Sequence, residues 1–166
     1  MQVADLVHLY DYNYWANGKL RAALVPLSTE QFVAPVAGSY GSIRNTLVHT
    51  VSAEWGWLDR CGGPARGAAL KAEDYPTLQA LGDRWEVVEG HMRTFLAGLS
   101  DADLARRITF ALPGGPPQDM ALGDLLHHGA VHGVHHRAQV ALLMRELGFA
   151  PGNFDLLIYL GSEGAR

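Results

Sequence analysis

The chain has one cysteine, Cys61, so it forms no internal disulfide, and with no CxxC pair it offers no thiolates for a structural zinc. No apolar run reaches the length of a membrane span. The opening MQVADLVHLYDYNYWAN lacks the basic-then-apolar pattern of a secretion signal. Basic charge is scarce: 13 Lys and Arg face 17 Asp and Glu, for a net charge of −4, and no basic patch argues for nucleic acid as a partner. Several catalytic signatures are missing as well. There is no GxSxG elbow, so a serine triad has no support. Gly133 follows His132 where an HExxH protease carries its glutamate, and no ExxH exists for a di-iron carboxylate bundle. A zinc deaminase would need PCxxC, also absent. These exclusions leave a cytoplasmic protein with neither membrane nor nucleic-acid partner, and 166 residues suit a single domain spanning the chain.

Histidine is what the sequence has in quantity. Of eight, five fall between His127 and His136 in HHGAVHGVHH. That run lies inside a segment with helical periodicity, residues 120–147. At about 100° per residue, His128, His132 and His136 stack on one face, roughly 6 Å apart in rise, on the stripe that also holds Leu125, Gln139 and Leu143. The stripe is core-facing, so the imidazoles replace core residues; His135 sits at its edge and His127 points away. A buried imidazole without a partner costs free energy, and a transition metal is one economical explanation for a column of three. A pH sensor or an interface is the competing one. Spacing alone does not choose between His128 with His132 and His132 with His136.

The rest of the chain reads as three further helices. Residues 3–24 carry Leu6, Tyr10, Leu20 and Leu24 on one stripe, with Asn13 and Asn17 among them. Buried amides need partners, so these two either tie helices together or line a pocket. LSTEQF then forms a capped turn. Residues 42–60 carry Ile43, Leu47, Val51 and Leu58, and a third helix runs from 75 or 77 to 99 through Leu78, Leu81, Trp85, Val88, Met92, Phe95 and Leu99. Between 105 and 120 the pattern breaks into a short β-hairpin or an irregular crossover, and NFDLLIYLGSE closes the chain with a helical turn or two. The expected architecture is an all-α four-helix bundle, whose sites are built from facing helices. A catalytic metal needs a third protein ligand, and the candidate is His49, off the aliphatic stripe of its helix on a face with Ser42, Thr46, Ala53 and Gly56. His8 and His91 read as solvated, and the four tryptophans as core or interface residues.

LYDYNYWANGKL, SIRNTLVHTVSAEWGWLDR, LGDLLHHGAVHGVHHRAQV and FDLLIYL together resemble the DinB family over nearly the whole chain. The third segment carries the most specific motif, often written HxxNHGTHHRGQ. The resemblance implies an up-down-down-up four-helix bundle with a divalent metal held by His49, His132 and His136, Zn or Ni being the natural ions, while His128 matches a histidine that is generally not a ligand. Val131 replaces the usual Asn, Val134 the Thr and Ala138 the Gly; none of these removes a ligand. It further implies a homodimer.

Some members of the family are thiol-dependent transferases or isomerases, which makes a metal-dependent S-transferase acting on a small electrophile the first expectation. A metal can hold a low-molecular-weight thiol as thiolate, the nucleophilic form. Gln139, with Asn13 or Asn17, would shape the pocket. Hydrolysis by metal-activated water would need a general base, for which Glu54 and Asp155 are the candidates. The third expectation is a non-catalytic metal-binding or stress-response bundle. Proton competition for neutral imidazoles places the loss of metal affinity below the ordinary imidazole pKa, about 6.5.

Overall fold

A computed structural model describes residues 1–162. Four long helices carry the fold: α1 (Val3–Leu24), α3 (Ile43–Arg60), α4 (Leu78–Ala97) and α5 (Leu122–Glu146), with short α2 (Thr29–Val33) and α6 (Leu156–Leu160). Their starts are written locally. Ser28 Oγ accepts from Gln31 N, Ser42 Oγ from Asn45 N and Thr77 Oγ1 from Ala80 N, each satisfying an orphan donor of a first turn. Gly148, at φ +82°, turns the chain out of α5 and lets Phe149 N reach Met144 O at 2.9 Å.

The break before α5 is a hairpin. β1 (Arg107–Ala111) pairs antiparallel with β2 (Pro117–Ala121), with Arg107 opposite Ala121 and Ala111 opposite Pro117. Met120 and Ala121 therefore belong to a strand, and the histidine helix begins at Leu122, whose N–H donates to Arg106 O at 2.8 Å. The hairpin ladder fixes where α5 starts and hence which turn of it faces α3.

Contacts run between α1 and α5, α5 and α3, α3 and α4, and α4 and α1, so each long helix packs on two others. The apolar stripes meet in two clusters. One gathers Leu20, Leu24, Leu47, Val51, Leu81, Trp85, Val140 and Leu143; the other gathers Leu6, Tyr10, Leu58, Met92, Leu122, Leu125 and Leu126. Along α1 Asn17 falls between them and Asn13 at the edge of the second, and between them along α5 fall His132, His136 and Arg137. The bundle thus has a polar waist. Among the described residues no helix is long and apolar enough to cross a membrane.

Candidate metal centre

The waist brings three of the histidines together. His132 and His136 lie one turn apart on α5, and His49 reaches them from α3. Nε2 of His132 is 3.3 Å from Nε2 of His49 and 3.0 Å from Nε2 of His136, and one nitrogen from each ring lies within 4.8 Å of the others. With metal–nitrogen bonds of about 2.0–2.1 Å, the edge of a tetrahedral coordination sphere is about 3.3 Å. The group could hold a metal ion, and no carboxylate or thiol joins it among the described residues.

Hydrogen bonding among the three rings alone leaves one nitrogen over, which the Tyr40 hydroxyl, 2.9 Å from His49 Nε2, meets. His136 Nδ1 lies 2.7 Å from Gln139 Oε1, an acceptor, so its hydrogen belongs there and its Nε2 presents a lone pair. His132 Nε2 carries at most one hydrogen, yet faces a ring nitrogen on each side. A cation among them would take all three lone pairs at once.

The electrostatics agree with neutral imidazoles. Burial holds His49 down to about 4, helped by the adjoining His136 ring. Burial also brings His132 down to about 3, with His136, His49, His128 and His135 adding to it. His136 is lowered chiefly by burial, against the raising effect of its bond to Gln139. His136 is buried while His49 and His132 are half-buried, so the group is reached from one side.

Gln139 is tied twice more. Its Oε1 accepts from Ser39 Oγ at 3.0 Å, and its Nε2 lies 3.1 Å from His135 Nε2. The histidine column itself needs a correction. His128 is exposed, its ring 5.0 Å from Trp57 and 5.8 Å from His132, and it stands outside the nitrogen cluster; at that turn α5 faces Trp57 and solvent rather than the core. His91 is solvated only in part. It is half-buried, 6.1 Å from the Trp55 ring, with Nδ1 out of reach of water and without a hydrogen-bond partner. His8 is exposed and packs against Tyr159.

Asn13 and Asn17 tie helices together. Their side-chain oxygens accept from Arg137 Nη1, which reaches across from α5 and is 2% exposed. Arg137 follows the histidine pair in HHR, but nothing in its spacing announces two amide partners on α1. Nor does spacing announce Tyr14, whose hydroxyl donates to Glu54 Oε1 at 2.8 Å. Burial pushes the Glu54 carboxyl up to about 7 against the lowering effect of that bond. Asp155 caps α6, accepting from Leu157 N at 3.0 Å. A groove of about 630 Å³ runs between Val134, Ala138 and Ala141 on α5 and the segment ending at Leu156; none of the three clustered imidazoles lines it.

Comparison with known proteins follows the same lines. The model of the DinB family matches residues 1–166. The chain is 25% identical over 157 residues to Protein DinB of Bacillus subtilis, covering 92% of this chain and 91% of that protein. It is 23% identical over 151 residues to the uncharacterized protein YizA of the same organism, covering 88% and 90%. A crystal structure of a DinB-like protein from Bacillus cereus superimposes with a TM-score of 0.73 at 21% identity, over 92% of this chain and 97% of that one, which shows the shared fold.

Proposed function

The chain belongs to the DinB family, and from that membership we propose that it binds a divalent transition metal, Zn or Ni, through His49, His132 and His136, and transfers a low-molecular-weight thiol to a small electrophile. The observation that carries the metal reading is the trio of ring nitrogens at coordination-edge spacing, neutral at physiological pH. A bound divalent ion supplies positive charge that stabilises the thiolate form of a thiol.

The chain's own residues do the rest. Gln139 orients His136, Ser39 braces Gln139, and the half-buried faces of His49 and His132 leave a side open to an incoming molecule. Transfer suits this site better than hydrolysis. A hydrolase needs a general base, and both candidates are engaged elsewhere: Glu54 is in the core under Tyr14, and Asp155 caps α6. A thiol brings its own nucleophile.

The test has two stages. Elemental analysis of the purified protein and of His132→Ala should find about one metal per chain in the first and little in the second. Conjugation of a model aryl halide by several small thiols should then depend on that metal. Absence of metal defeats the whole reading; metal without turnover for any thiol defeats the transferase and leaves the non-catalytic role.

A further inference from the structure

The segment between α2 and α3 follows an uncommon path over the histidines. Gly38, Ser39 and Gly41 take φ of +87°, +47° and +82°, and among the described residues Ser39 is the one non-glycine at positive φ. A left-handed backbone is unfavourable for an L-residue, so its surroundings must hold it there. They do. Ser39 Oγ lies 2.8 Å from Thr46 Oγ1 and donates to Gln139 Oε1 at 3.0 Å. Gly41 O accepts from Val36 N at 2.9 Å, and Tyr40 O accepts from Asn45 Nδ2 at 3.1 Å.

This bracing decides where Tyr40 goes. Its ring lies nearly parallel to His49, centroids 3.9 Å apart at 16°, and edge-on to His136 at 5.6 Å. Its hydroxyl is 2.9 Å from His49 Nε2, the nitrogen that faces His132. The residue is nonetheless 45% exposed. A phenol held by its ring beside a ligand nitrogen, rather than turned to water, calls for a reason beyond packing.

We propose that Tyr40 positions the exogenous ligand of the three-histidine site, donating its hydroxyl hydrogen bond to a thiol or similar small anion that enters beside His49. The inference rests on the metal-binding reading above. Once a cation takes the His49 Nε2 lone pair, the phenol loses its acceptor there. Stacking and the brace at Ser39 keep the hydroxyl at the site, so its hydrogen turns to an incoming ligand atom. Donation to an anion is among the stronger hydrogen bonds.

The test uses the full chain loaded with Co(II), whose visible spectrum reports changes at the metal. Wild type and Tyr40→Phe are titrated with 2-mercaptoethanol and, separately, with azide, while Co(II) uptake is measured independently. Phe keeps the stacked ring and removes the hydroxyl alone. The variant should bind either probe about 10- to 100-fold more weakly, the loss expected for one hydrogen bond to a charged acceptor. Probe affinity within about twofold of wild type, or a wild-type spectrum that ignores both probes, overturns the assignment of Tyr40. Failure of wild type to take up Co(II) overturns the metal reading together with it, so the two failures are distinct.

Discussion

Gly133 of α5 faces the side-chain oxygen of Asn13 on α1 so closely that a Cβ placed there would lie 2.6 Å from it and 3.2 Å from Arg137 Nη1. The missing side chain is what lets the two helices meet at the waist next to His132. Gly133→Ala should therefore destabilise the fold, since Asn13 is buried, bonded to Arg137 and cannot retreat. Overpacking costs about 1–3 kcal/mol, against a helix-propensity gain of about 1 kcal/mol. Gly90, on the exposed face of α4, meets nothing within 4 Å, and Gly90→Ala should stabilise instead. Urea unfolding of both variants checks the pair; equal gains would mean the contact is soft.

Glu54 makes stability fall as pH rises. Its carboxyl titrates at about 7 in the fold against 4.5 as the ordinary value. Below about 4.5 it is neutral in both states, and from there to about 7 the unfolded chain releases a proton that the folded chain keeps. The cost built up across that window is on the order of 3 kcal/mol. Glu54→Gln keeps an oxygen for the Tyr14 hydroxyl and removes the titration. The stability difference between variant and wild type should move in the variant's favour from about pH 5 to about pH 8. A difference independent of pH would show that Arg137 compensates the charge.

Much of this was legible in the residues because it is local. Ser42 and Thr77 announce helix starts, and the apolar stripes Leu6–Tyr10 and Leu81–Trp85–Val88 announce buried faces. The histidine run fixes a face of α5 and points to His132 and His136, whereas the expected space beside His49 is filled: Tyr40 stacks on its ring and the Arg66 guanidinium packs against Gly56. What is illegible depends on distance along the chain. Tyr14 and Glu54 stand 40 residues apart, Ser39 and Gln139 100 apart, and Arg137 and Asn17 120 apart. Wheel projection misjudged His128 because a straight helix takes no account of the hairpin and Trp57 beside its first turns.

Gln139 should govern metal affinity without touching the cation. It fixes the His136 tautomer through Nδ1 and receives the brace from Ser39. Gln139→Ala removes both and should weaken metal binding about 10- to 100-fold, the usual loss for an outer partner of a ligand. Gln139→Glu keeps an acceptor for Nδ1–H and should retain most of the affinity. Chelator competition measures each; an unchanged affinity for the alanine variant would mean that packing alone orients His136.

Protons and a cation compete for the same three nitrogens, so the depressed imidazole pKa values predict where competition begins. Burial holds His49 to about 4 and His132 to about 3, and lowers His136 as well. An ordinary imidazole near 6.5 would start losing metal at that pH. Here affinity should hold as the pH falls past 6.5 and disappear only on further acidification, through the lowered values. The metal-free protein obeys the same sign. Its histidines are neutral in the fold when those of the unfolded chain already bind protons, so this part of stability is intact above about 6.5 and is lost toward about 4. Equilibrium dialysis across that range tests the first statement, and thermal unfolding of metal-free protein, compared with His49→Gln, tests the second. Metal release that begins at or above pH 6.5 would contradict both the burial of these rings and the neutrality on which the site depends.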